Sequence, residues 1–241
     1  MKVRATVSPP RSGMSASGSR RDFLRLAAAG GAAVAIPSLV AGCKLNDVIR
    51  TSDAGTGPML TFDFAKGDIA FLQFFSVYKQ LHADLYKQIA ATAASSDLNS
   101  TEQALIPQVL SHLIVHRETI NGILGTTNQV TVTPTWGSTN FKKRSEGLNL
   151  AVQFSDLAVG MWNGVVQSLS AATTSAFVIE MSTVDARHSS AVADASTPKS
   201  GGLTGFAPNS QDAAYRLSGV GTAIQQFTIE RLQFLNPPAE I

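Results

Sequence analysis

Four stretches between residues 67 and 197 repeat apolar side chains every three or four positions, and that period constrains the fold more than any other feature of the sequence. In the first, Ile69, Leu72, Phe75, Tyr78, Leu81, Leu85 and Ile89 share one side. The second opens on Ser100 or Thr101 as a cap, with Glu102 and Gln103 in its first turn. It carries Ile106, Val109, Leu110, Leu113, Ile120 and Leu124 up to a stop at Gly125. The third, from about Phe141 to Leu169, is marked by Leu148, Val152, Val159, Trp162 and Val166. The fourth, from about Thr174 to Asp194, is marked by Phe177, Met181, Val184 and Val192. An amphipathic helix must bury its stripe against a neighbour. Four of them in sequence, joined by short or moderate links, predict an all-α four-helix bundle.

The flanking segments lack this period. Residues 126–140, rich in Thr with Pro134 and Gly137, read as a loop. Residues 44–66 hold Gly55, Gly57 and Pro58 among small polar residues and read as a tether. Beyond a Gly/Pro/Ser loop at 198–209, residues 210–241 read as a short helix, an extended segment, or both. Ile224, Phe227, Ile229, Leu232, Phe234 and Leu235 are too apolar to face water, so the C-terminal tail is expected to pack on the bundle. The expected organisation is 1–43 leader, 44–66 linker, 67–197 bundle and 198–241 tail.

The leader is an address rather than part of the fold. Ser19-Arg20-Arg21-Asp22-Phe23-Leu24-Arg25 precedes a weakly apolar run from Leu26 to Val40. That run, broken by Gly30, Gly31 and Pro37, is too short for a membrane span of about 20 residues. The Arg20-Arg21 pair resembles a twin-arginine export signal. Val40-Ala41-Gly42-Cys43 resembles a lipobox, in which the cysteine takes a diacylglyceryl group before cleavage; the other reading is ordinary signal cleavage with Cys43 incidental. Cys43 is the chain's only cysteine, so no internal disulfide can form. The expectation is a periplasmic or cell-envelope lipoprotein held to a membrane through Cys43. Lys44 lacks the aspartate associated with inner-membrane retention, which favours the outer membrane.

Six basic residues precede Cys43 against Asp22 alone, so the +2 of the whole chain becomes −3 over residues 43–241. No basic cluster there exceeds Lys142-Lys143-Arg144, which disfavours nucleic acid as a partner.

The later segments carry a family resemblance. Ala151-Val152-Gln153-Phe154-Ser155-Asp156-Leu157-Ala158-Val159-Gly160-Met161-Trp162-Asn163-Gly164 is similar to the third helix of the exported ferritin-like family that includes bacterial desiccation-related proteins. Val184-Asp185-Ala186-Arg187-His188-Ser189-Ser190-Ala191-Val192 resembles its closing helix, and Tyr78 to Tyr86 fits its first helix more loosely. The resemblance implies a di-iron centre built from one Glu on each of two helices and a Glu-x-x-His pair on each of the others. Carried across, those positions fall on Lys79, on His116 and Thr119, on Ser155, and on Asp185 and His188. Only His188 is identical and only Asp185 keeps the charge, so two iron ions would be badly under-neutralised and repelled by the lysine.

Two expectations follow. In the first, Lys79 pairs with Asp185 across the bundle, a fixed cation in place of metal and no cofactor. In the alternative, His116, Asp185 and His188 hold one iron or zinc ion. His112, one turn from His116, is a weak signal by itself, and His82 near Asp84 reads as an exposed or boundary residue. Trp136 and Trp162 read as packing residues. There is no Gly-x-Ser-x-Gly elbow and no phosphate loop; Gly201-Gly202-Leu203-Thr204-Gly205 and Gly219-Val220-Gly221 read as turns. Two function classes stand: a non-enzymatic envelope protein in stress protection or interaction, and a metal-dependent oxidoreductase or metal store. A homodimer through helix faces is compatible with either.

Overall fold

The computed structural model describes residues 56–196 and 212–238. Arg20, Arg21, Cys43 and the Gly201–Gly205 run lie outside them. Four long helices dominate: α1 (Asp68–Thr92), α2 (Ser100–Asn128), α3 (Arg144–Val165) and α4 (Ala172–Ser196). Helices α1 and α2 pack along their lengths as one hairpin and α3 and α4 as another; α1 against α3 joins the two, while the backbones of α2 and α4 approach less closely and meet through side chains such as His112 and His188.

Local chemistry sets the helix ends. Asn99, rather than Ser100 or Thr101, caps α2: its Oδ1 accepts from the Glu102 amide at 3.0 Å and Glu102 Oε2 accepts from the Asn99 amide at 3.0 Å. This reciprocal pair satisfies two of the donors a helix start leaves open. Glu102 also receives the guanidinium of Arg144 at 2.8 Å, tying the starts of α2 and α3 together. Gly125 takes φ 63° and breaks the helical path where the sequence predicts a stop, although helical residues resume to Asn128.

Two stripes hold their expected faces, with Met181 and Val192 on α4 and Leu148, Val159 and Trp162 on α3 buried, but miss at single positions. On α4 the buried positions are Val178, Met181, Asp185, His188 and Val192, with Phe177 and Val184 only half-buried. On α3, Val165 rather than Val166 is inside. The inward row of α4 contains an aspartate and a histidine, so a search for apolar spacing slides onto its neighbours. Ile69, expected inside, is 40% exposed at the head of α1.

The tail contains both elements left open by the sequence, a helix α5 (Leu217–Gln225) and a strand β2 (Arg231–Leu235). Gly219-Val220-Gly221 therefore lies within a helix and is not a turn. Strand β2 pairs in parallel with β1 (Met59–Asp63), Met59 opposite Arg231 and Asp63 opposite Leu235. The expected tether is thus ordered from Met59 onward; Phe62 and Phe64 drive this by packing with Phe71, Phe74 and Phe234. The 126–140 loop is held by the tail through the Pro134–Thr228 bridge, and Trp136 packs on Phe141, Phe154 and Phe227 while its Nε1 donates to Asp84 at 2.8 Å.

Tyr215 crosses α3 over Gly160 and Gly164, its amide donating to the Gly160 carbonyl at 2.8 Å. A Cβ at Gly164 would stand 2.0 Å from the Tyr215 backbone oxygen, which has no rotamer with which to retreat. Gly164→Ala is expected to lift the tail from α3 and lower stability by about 1–3 kcal/mol, the usual penalty for overpacking. A urea denaturation midpoint equal to the parent's would contradict that docking.

Candidate functional site

Midway along the bundle, charged and polar side chains from all four helices meet. Lys79 of α1 and Asp185 of α4 are both fully buried, and Lys79 Nζ donates to Asp185 Oδ2 at 2.5 Å. Trp162 of α3 donates its Nε1–H to the same oxygen at 2.6 Å, and the Lys79 ammonium lies 5.4 Å from the Trp162 ring centre. Burial alone would drive the Asp185 carboxyl up, but the Lys79 ammonium and the neighbouring imidazoles outweigh it and hold the group well below the usual carboxylate range. Burial pulls Lys79 below its ordinary value while Asp185 opposes that pull. The pair therefore stands as carboxylate and ammonium near neutrality.

The second oxygen, Asp185 Oδ1, faces two imidazoles. His116 Nδ1 of α2 is 3.5 Å away and His188 Nδ1, one turn along α4, is 3.6 Å away. Both lie just beyond hydrogen-bond reach. All three atoms are buried and lack a hydrogen-bond partner. The far nitrogen of His188, Nε2, meets Nδ1 of the exposed His112 at 2.9 Å. A chain of polar groups thus runs from the closed centre through His188 to the surface. It opens into a pocket of about 340 Å³ between α2 and α4, lined by His112, Val115, His116, Val184, Arg187 and His188.

The other expected positions divide. Ser155 is fully buried, with its Oγ 3.4 Å from Tyr86 Oη. Thr119 is exposed and its hydroxyl donates to the Val115 carbonyl, so it faces away from the centre. His82 is the main correction: it is fully buried, not a boundary residue, and neither ring nitrogen has a partner. It sits among Tyr78, Tyr86 and Phe154 with ring centres 5.4–5.9 Å apart. Burial, with Lys79 adding to it, pushes its imidazole well below the ordinary value, so it is neutral. The signal was in the sequence: His82 follows Phe75 by seven and precedes Ile89 by seven, on the apolar stripe. Among the described residues, there is no group of three or more His, Cys, Asp or Glu side chains that could hold a metal ion. Among the same residues, no helix is long and apolar enough to cross a membrane.

Comparison with known proteins adds two matches. Residues 19–37 match the TAT (twin-arginine translocation) pathway signal sequence. Residues 67–198, more than half the chain and spanning all four long helices, match the Ferritin-like domain. No curated protein and no solved structure matches the chain. With a four-helix bundle behind a twin-arginine signal, this is an exported protein, and the chain belongs to the ferritin-like domain family.

Proposed function

We propose that this exported ferritin-like protein carries out no iron redox chemistry and serves as a folded, lipid-anchored protein of the cell envelope, of the stress-associated, desiccation-related kind. The observation that carries the reading is the Lys79–Asp185 contact at 2.5 Å, an ammonium held against the site's one central carboxylate. A pair of iron ions needs several carboxylates to bridge and neutralise it. Here Oδ2 of Asp185 already accepts from Lys79 and Trp162, Ser155 offers a hydroxyl, and Thr119 faces solvent. These residues do not fit a di-iron centre. Anchoring through an acylated Cys43 belongs to the same reading, and mass spectrometry of the envelope-purified protein would reveal the acyl group on an N-terminal Cys43.

The alternative, a single iron or zinc held by His116, Asp185 and His188, draws on the three unpartnered atoms around Asp185 Oδ1. Ferrous iron added in air to the exported protein separates these readings. The expected result is no ultraviolet charge-transfer band and less than one iron per chain by elemental analysis. A band saturating at one or two irons per chain would overturn the proposal.

A further inference from the structure

We infer that the pocket between α2 and α4 is a binding site for a small organic anion, a carboxylate carried on a short apolar body. The Arg187 guanidinium takes the head, and Val115 and Val184 take the body. The site lies outside the Lys79–Asp185 pair, needs no metal, and does not rest on the centre being redox-silent.

The walls follow from the helix register. Arg144 bonds Glu102 near the start of α2 and the Ala195 carbonyl near the end of α4, so these two helices run in opposite directions. The contact between His112 and His188 at 2.9 Å then fixes which turns face each other. One turn on from His112 along α2 stands Val115, and one turn back from His188 along α4 stands Val184. The two valines thus line the pocket from facing helices. Val115 is 60% exposed and Val184 half-buried, so both still have apolar surface to cover. At about 340 Å³ the space sits at the low end of the roughly 300–1,000 Å³ of small-molecule sites, which favours a short body.

Charge sets the head. Arg187 follows Val184 by three residues and lines the same pocket. Elsewhere arginines are engaged by carboxylates, Arg117 by Glu118 at 2.5 Å and Arg144 by Glu102 at 2.8 Å. Arg187 instead donates from Nε to the Thr183 carbonyl of its own helix at 3.2 Å. That bond steadies the side chain and leaves the two terminal amino groups of the fork without a protein partner among the described residues. A guanidinium so placed offers paired donors that match a carboxylate. The remaining lining residues are His112, His116 and His188, so no acid lines the pocket to occupy Arg187 or repel an anion. Asp185 behind them is fully buried and neutralised by Lys79. An organic cation of the same shape would meet Arg187 as a like charge, which supplies the discrimination.

The test is calorimetric titration of the full exported protein at neutral pH with octanoate, and with octylammonium as the matching cation. One octanoate per chain and no saturable octylammonium binding are expected. Arg187→Gln keeps the reach of the side chain and removes its charge. It should weaken octanoate binding by about tenfold to hundredfold, the span of a hydrogen bond to a charged group. Val115→Glu sets a carboxylate at the mouth and should abolish binding. Both side chains are exposed, so neither change disturbs the core, and circular dichroism checks the fold. Absence of saturable octanoate binding in the parent overturns the site, as does Arg187→Gln binding with parental affinity. Octylammonium bound as tightly as octanoate overturns the charge assignment. A dimer in sedimentation that Val115→Glu breaks, with no octanoate bound by the parent, gives the pocket to a second copy of the chain and overturns the proposal.

Discussion

Replacing Lys79 by Met should lower the stability of the bundle by about 3–5 kcal/mol, the range found when one member of a buried ion pair is removed. The side chain that remains, Asp185, is fully buried and would keep a carboxylate with only the Trp162 indole within hydrogen-bond distance. In a chain of this length each kcal/mol corresponds to about 2–4 °C in Tm, so calorimetry would register the change clearly. The double variant Lys79→Met/Asp185→Asn removes both charges and keeps an acceptor for the Trp162 indole. It should recover a large part of the loss, because a buried pair replaced as a unit is often near neutral. The non-additivity separates an ion pair from simple packing of the lysine stem. Equal, additive losses in the two single variants, or a Lys79→Met protein with parental Tm, would show that the contact contributes little.

The bundle itself was legible because four apolar stripes of helical period leave few alternatives, and the start of α2 was legible to within a residue. The errors share one cause. Wherever polar groups occupy inward positions, apolar spacing misleads: on α4 it finds Met181 and Val192 but takes Val184 in place of its neighbour Asp185, and His82 reads as a boundary residue because histidine is usually found there. The Lys79–Asp185 pair was nevertheless readable, since Lys79 falls on a stripe with Leu72 and Phe75, and a buried ammonium requires a counter-charge. The β1–β2 pairing was not. It joins residues 172 positions apart, and Gly55, Gly57 and Pro58 hid a strand whose only local sign is Leu60, Phe62 and Phe64 at alternate positions. The pocket was equally hidden, because it depends on how far α2 and α4 stand apart, a property of tertiary packing.

The same buried groups make the fold sensitive to acid. Asp185 has a native pKa well below its ordinary value, and His82 and His116 are likewise depressed. For each, the unfolded chain binds a proton more readily than the native protein, so stability falls as pH is lowered. Two limbs are expected. The first begins near the unfolded histidine pKa of about 6.5, where the denatured state takes up protons that His82 and His116 refuse. The second begins near an unfolded aspartate pKa of about 3.9, and the Asp185 contribution is lost as pH falls through its native value. His82→Leu removes the His82 share of the first limb and leaves that of His116. The substitution is close in volume, leaves no unpaired ring nitrogens among Tyr78, Tyr86 and Phe154, and should be neutral or stabilising at pH 7. Urea midpoints measured from about pH 8 to pH 4 should decline in the parent below about 6.5 and less steeply in His82→Leu, where His116 alone remains of the two. If the two curves run parallel, His82 is protonated as readily in the native protein as in the unfolded chain, and its burial without a partner is not what makes the fold acid-labile.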